Sequence, residues 1–337
     1  MLMALAVITG LLSQAMMADE LIMKNGSRLV GTLINASDGE IRIDTPFAGE
    51  ISVKTSNVKS MHTEKSVTVL MPDGRVLRNQ RIVAQKKALV MVGADDHATE
   101  FEPSDVEMIN PEPWRLGDGY KWSGDISTAI KVERGNTEVD ELDLAVKSIW
   151  RSLVDRYTVR GSWERDEKND SKTKDQWRVR GKYDRFRQKN ANDYYGWQLA
   201  FESDEFADLD LRSITGPYVG RQFFDSRALT LAGELGLVYV NEQLIEAEDE
   251  DYFGASWELR LTSGWISDYA EFYVDQDGIF NFDDTDGVIM NTTVGISFPI
   301  SEGFKAALEA EFEYDGGAAE GVDTLDETYK FRLGYEW

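Results

Sequence analysis

The sequence predicts an all-β chain: an antiparallel transmembrane β-barrel of about 12 strands, preceded by a small soluble β-domain made of two repeats. Three observations carry this reading. Apolar and polar residues alternate with a period of two over stretches of about ten or more residues, longer than most strands of soluble proteins. The connections between these stretches alternate between short and longer. Residues 20–110 repeat themselves with an offset of 48 positions.

Composition agrees. The 337 residues include 28 Gly, only 7 Pro and 11 % aromatics, a bias toward pleated structure. Mean hydropathy is -0.40. A membrane barrel keeps such a low average because lumen-facing polar residues alternate with lipid-facing apolar ones. No cysteine is present, which excludes disulfides, thiol catalysis and thiolate metal sites. The net charge of -25 is unevenly placed: residues 19–113 carry 15 acids against 11 bases, the remainder 46 against 25. Phosphates would be repelled, so nucleic acid is excluded as a partner.

Residues 1–18 are apolar and uncharged and read as the signal peptide of an exported protein. Ser13 and Ala15 supply the small residues of one cleavage site, and Ala18 ends another. No later run of about 18 apolar residues follows, so no helical membrane span is expected.

Residues 19–110 are expected to form a periplasmic duplicated β-domain. Asn25-Gly26 matches Asp73-Gly74, Ile41-Arg42-Ile43 matches Leu89-Val90-Met91, Val53 matches Phe101, Asn57-Val58 matches Asp105-Val106, and Met61 matches Ile109. Each half reads as a strand, a tight turn with both central residues at positive φ, and three more short strands. Neither half can bury a good core alone, so the two should pack together. The domain is similar to small Sm-like or SH3-like modules but carries no ligand pattern. The chain's two histidines, His62 and His97, lie here at non-equivalent positions without metal-ligand spacing. Residues 111–119, with their prolines and glycines, mark a linker.

Residues 120–337 are expected to be the outer-membrane barrel. Twelve strands are read at 120–134, 138–150, 153–166, 173–187, 193–204, 208–224, 227–242, 250–263, 266–279, 286–299, 303–316 and 325–337. Short inner turns are placed at 152–155, 188–192, 225–226, 264–265 and 300–302. Longer acidic outer loops are placed at DEKNDSKTK, EQLIEAEDED, GIFNFDDTDG and DGGAAEGVDTLDE, with 135–137 a short exception. An even count puts both ends in the periplasm. In the last strand, Tyr329, Phe331, Leu333, Tyr335 and Trp337 share the face meant for lipid, while Lys330, Arg332 and Glu336 share the other. This strand is expected to pair with 120–134 and close the wall, because an open edge in lipid leaves backbone groups unsatisfied.

The opening strand WSGDISTAIKVERGNTEVDELDL and the aromatic terminal strand resemble the DUF481 family, described as salt-induced outer-membrane proteins. The resemblance covers about residues 120–337. It implies the barrel fold, the outer membrane of a Gram-negative cell, and recognition of the last strand by the barrel-assembly machinery. It implies no substrate and no catalytic residue. The usual terminal Phe is Trp337 here.

The barrel region contains no histidine, so Ser-His nucleophile activation is excluded within it, and no enzyme activity is expected. With Trp177, Val179 and Tyr183 toward lipid, Arg178, Arg180 and Lys182 face inward, as does Arg160 on the neighbouring strand. Glu309, Glu311 and Glu313 line another wall, joined by Lys330 and Arg332. A narrow pore for small charged solutes or ions, linked to envelope or salt stress, is one reading. A closed structural or binding barrel, its lumen cross-linked by ion pairs and its periplasmic domain tethering a partner or peptidoglycan, is the other. No cofactor and no resident metal are expected. Outer-membrane lipid is the expected surrounding, with divalent cations loosely screening acidic loops at 246–251 and 283–286.

Overall fold

The structure, a computed structural model, describes residues 18–337 apart from 38, 86–87, 94–97, 102–105, 134–138, 188–189, 227, 268, 285–286 and 318–323. Residues 1–17 of the segment expected to be a signal peptide, His97, and the short connection expected at 135–137 lie outside the described residues. The chain divides into two compact units, Met1–Glu112 and Pro113–Trp337.

The N-terminal unit contains β1 (Asp19–Met23), β2 (Arg28–Ser37), β3 (Glu40–Thr45), β4 (Gly49–Lys54), β5 (Val58–His62), β6 (Val67–Leu70), β7 (Val76–Gln85), β8 (Ala88–Val92), β9 (Ala98–Phe101) and β10 (Met108–Ile109). Each half therefore has five strands, one more than the pattern predicted. The halves interlock through their last strands. β5 pairs with β1, and the next residue, Thr63, bonds Ile82 of the second half in both directions, at 2.9 and 2.8 Å. β10 pairs with β6, then reaches back to β2, where Asn110 Nδ2 donates to the Ile34 carbonyl at 3.2 Å. Ile34 and Ile82 are equivalents under the 48-residue offset. Core residues follow the same duplication: Leu21 and Val69, Ile43 and Met91, Met61 and Ile109 all lie in one buried cluster.

The two matching turns differ from the expected type. Gly26 N donates to Met23 O and Met23 N to Ser27 O; Gly74, Met71 and Arg75 repeat this. Only the glycines have positive φ, +88° and +82°. These are three-residue loops with a glycine bulge rather than two-residue turns. The reason is local: Asn25 Oδ1 accepts from Ser27 N and Asp73 Oδ1 from Arg75 N, which holds the polar residue in its ordinary conformation. The Arg75 N–H also holds the exposed Asp73 carboxyl below its ordinary pKa.

The C-terminal unit is a closed barrel of β11 (Lys121–Glu133), β12 (Val139–Arg151), β13 (Asp155–Lys168), β14 (Ser171–Arg187), β15 (Asn190–Asp204), β16 (Leu209–Asp225), β17 (Leu229–Leu244), β18 (Glu250–Ser267), β19 (Ala270–Asn281), β20 (Val288–Ser301), β21 (Phe304–Asp315) and β22 (Leu325–Glu336). All neighbours are antiparallel, and β11 pairs with β22. Three details depart from expectation. DEKNDSKTK is not a loop: Lys168 pairs with Ser171 around Asn169-Asp170, both at positive φ, the two-residue turn that Asn and Asp tolerate. Residues 264–265 are not a turn: β18 runs on to Ser267 past a register shift after Ser263, so a bulge absorbs the glycine. The closing seam is short, pairing Gly124 to Thr128 with Leu333 to Trp337.

Candidate functional site in the barrel lumen

The barrel inverts the usual distribution of polarity. Its exposed outer positions are Ile126, Leu144, Val179, Leu199, Leu235, Leu237 and Leu308, among others, whereas its buried positions include Asp143, Glu164, Lys182, Asp184, Glu202, Arg212, Glu234, Glu258 and Arg332. An exposed apolar wall this large suits lipid. Aromatic residues bound the wall at both ends. Tyr157 packs at a tilt against Tyr183 at 5.0 Å and Phe304 meets Tyr335 edge-on at 5.0 Å near the short turns; Tyr239 meets Phe253 at 5.2 Å near the longer loops. Tyr329, Phe331, Leu333, Tyr335 and Trp337 all lie outward and exposed.

The opposite face of each strand builds the lumen, which charges cross-link. Lys182 on β14 contacts Glu234 on β17 and Glu258 on β18, the latter at 2.6 Å. Arg160 Nη1 donates to Glu258 at 3.1 Å, and Arg180 Nη2 to Asp277 on β19 at 2.9 Å. Arg178 pairs with Glu202 at 2.6 Å; Arg212 pairs with Glu202 at 2.9 Å and Glu242 at 2.7 Å. A third group surrounds the last strand. Lys330 Nζ lies 2.6 Å from Asp143, 2.6 Å from Glu164 and 2.5 Å from Glu311. Arg332 contacts Asp143, Glu309 and Glu311. The carboxylates of Asp143, Glu164 and Glu311 converge closely enough to hold a metal ion. The Lys330 ammonium already supplies that positive charge.

Two further groups close part of the lumen. Ala200, Ile214, Val238, Val240, Tyr252 and Ile279 pack as an apolar cluster on β15 to β19. Toward the short-turn end, Phe186, Tyr194 and Tyr218 form a second cluster. The Arg151 guanidinium lies 3.4 Å above the Phe186 ring, and Arg156 lies 5.0 Å from Tyr194 while donating to Asp184 at 2.5 Å.

What remains open is off-centre. A cavity of about 420 Å³ is lined by β11 to β14 and β18 to β22, reaching from Asp125 and Lys305 to Glu313. A second, of about 320 Å³, continues toward the longer loops, past Arg212 to Asp208, Asp315 and Asp326. The two share Ser162, Glu164, Arg178, Asn291 and Glu313.

The residues predicted for the lumen divide accordingly. Arg160, Arg178, Arg180, Glu309, Glu311, Glu313 and Arg332 line the larger cavity. Lys182 and Lys330 face inward but line neither cavity, because carboxylates enclose their ammonium groups. Sequence reasoning did not single out Glu202, Glu234, Glu258 or Asp277, although alternation with outward Phe201, Leu235, Trp257 and Gly278 puts them on the inner face. The inward Phe186, Tyr194, Val238 and Val240 gave no such signal, since apolar residues inside a barrel resemble those outside. At the acidic loops, Asp208 accepts from Glu246 N and Ala247 N, and Asp249 from Leu244 N, so these carboxylates organise backbone. Asp286 lies outside the described residues.

No curated protein matches the chain. Solved structures with similar folds include the NanC porin (11 % identity, TM-score 0.39, covering 64 % of this chain and 98 % of that one). The translocator domain of the autotransporter NalP from Neisseria meningitidis is similar at 12 % identity and TM-score 0.37, covering 66 % and 88 %. An outer-membrane channel of Pseudomonas putida F1 follows at 10 % identity and TM-score 0.37, covering 65 % and 94 %. The family described as "Protein of unknown function, DUF481" matches residues 126–337, more than half of the chain. The protein therefore belongs to the DUF481 family.

Proposed function

We propose that the protein is an outer-membrane barrel of a Gram-negative cell, with a narrow off-centre pore for small charged solutes or ions and its N-terminal domain in the periplasm. One observation carries the reading. The two lumen cavities share Glu164, Arg178 and Glu313 as lining, one lying toward the short-turn end and the other toward the loop end. A basic wall, Arg160, Arg178 and Arg180, faces acids on β19 and β21 across that space, and such a pair of walls orients charged solutes. The absence of a barrel histidine supports a non-enzymatic role. The aromatic terminal strand is the segment we assign to the barrel-assembly machinery. Divalent cations would screen the acidic loops.

Single-channel recording in planar bilayers tests the pore. Discrete conductance steps are expected; none across repeated insertions would overturn it. A link to salt stress predicts impaired growth of a deletion strain at high salt.

A second reading, a closed barrel that presents a periplasmic binding module, draws on two observations. Ion pairs such as Arg160–Glu258 and Arg180–Asp277 span the lumen. The N-terminal domain has an apolar-lined cavity of about 650 Å³ bordered by Ile41, Val58, Met61 and Phe101. Deleting residues 19–110 would abolish partner retention on this reading and leave conductance intact on the first.

A further inference from the structure

Lys147, Arg160 and Arg180 form a row that the ladder places side by side. Lys147 and Arg160 are direct cross-strand partners, and so are Arg160 and Arg180. All three line the larger cavity. Like charges directly opposite one another on a sheet face are destabilising, so this row needs compensation. Arg180 has it, in Asp277 at 2.9 Å. Arg160 commits only Nη1, to Glu258; its Nε and Nη2 have no partner among the described residues. Those two N–H groups form one edge of the guanidinium, whose spacing matches both oxygens of a carboxylate. Lys147 makes no direct ion pair or hydrogen bond among the described residues.

The same cavity holds carboxylates that are equally uncommitted. Asp125 is the ladder partner of Lys147 on its other side. Asp275 lies opposite Arg260, but Arg260 is engaged by Glu234 at 2.8 Å and Glu258 at 3.4 Å. Asp125 and Asp275 line the same cavity as Lys147 and make no direct ion pair with it among the described residues. A solute carrying only negative charge would meet these acids, and one carrying only positive charge would leave the Arg160 edge unmatched. A solute with both charges satisfies each wall.

We propose that this row binds the carboxylate of a small zwitterion whose ammonium turns to Asp125 and Asp275, the chemistry of a free amino acid. The cavity of about 420 Å³ holds one such molecule with water. The Arg160 side chain lines the cavity and is 25 % open, while its Nε and Nη2 are buried, so a carboxylate reaches that edge once the guanidinium turns toward the cavity. The inference rests on the pore reading only in requiring that solute enter the lumen.

The test uses the full-length protein in detergent micelles, with glycine, acetate and methylammonium as probes in saturation-transfer NMR. Glycine should bind, and acetate and methylammonium each about tenfold more weakly, since each loses a charge-assisted hydrogen bond. Lys147→Met and Arg160→Met should each weaken glycine by about tenfold. Asp275→Asn should bring glycine down to the level of acetate. Heat-modified electrophoretic migration identifies variants that remain folded, and Lys147→Met removes a charge that has no direct partner. Absent glycine binding, acetate equal to glycine, or glycine binding unchanged in both cation variants would overturn the subsite. Binding without conductance would keep the subsite and overturn the pore; conductance without binding would do the reverse.

Discussion

Arg332 on β22 forks onto Asp143 on β12, Nη1 to Oδ1 at 2.6 Å and Nη2 to Oδ2 at 2.8 Å, reaching across the first barrel strand, β11, that lies between them. The ladder between β22 and β11 is short, so this bidentate contact and the Lys330 contacts to Asp143 and Glu164 fasten the last strand to the second and third. Closure thus depends on lumen side chains as well as on backbone pairing.

Arg332→Met should therefore weaken the closed barrel disproportionately. Breaking one partner of a buried charge pair costs roughly 3–5 kcal/mol, and beside a hydrated cavity the lower end applies. Urea unfolding of the detergent-refolded protein should show that loss, and Asp143→Asn should add little to it in the double variant. Additive effects would separate the two residues.

Lys330 sits where three carboxylates converge. Chelators should leave the wild-type barrel's thermal transition unchanged, since the ammonium matches Asp143, Glu164 and Glu311. Lys330→Ala should lower the transition, and calcium should restore it by supplying oxygen-coordinated positive charge. Restoration by sodium chloride to the same extent would reduce the effect to screening.

Gly124 accommodates the terminal aromatic. A Cβ there would stand 2.6 Å from the Trp337 ring and 2.3 Å from the Lys147 carbonyl. Trp337 also exchanges backbone hydrogen bonds with Gly124 at 3.0 and 3.1 Å and meets Trp122 edge-on at 5.5 Å. Gly124→Val should cut the yield of heat-modifiable barrel severalfold, whereas Trp337→Phe, which keeps an aromatic, should have a milder effect. Equal yields for wild type and Gly124→Val would contradict the packing.

In the N-terminal domain, Ile43→Ala and Met91→Ala empty equivalent core positions. Each should cost roughly 2–5 kcal/mol locally. Hydrogen exchange on the full chain should show lost protection in both repeats for either variant, because their last strands interlock. Loss confined to the mutated half would mean that the repeats fold independently.

Arg178 borders both cavities. Arg178→Glu should move the reversal potential under a salt gradient toward cation selectivity, and Arg180→Glu should do so within the larger cavity. An unchanged potential in conducting channels would put the current path elsewhere.

Period-two alternation was enough to count twelve strands and to assign Tyr329, Phe331, Leu333, Tyr335 and Trp337 to the outer face, because a strand's side chains can take only two directions. The 48-residue offset likewise exposed the duplicated core, since Ile43 and Met91 had to be apolar in both copies. Alternation says nothing about which inward residue meets which across a lumen. Arg160 with Glu258 and Arg332 with Asp143 are separated by 98 and 189 residues and are joined by strand register and barrel closure. The uncommitted edge of Arg160 emerges at this level too, for a hydrogen-bonding edge is unmatched only relative to everything packed around it. The sequence by itself thus determined the wall and its two faces; the tertiary structure decided which charges are neutralised and which keep an unmatched hydrogen-bonding edge.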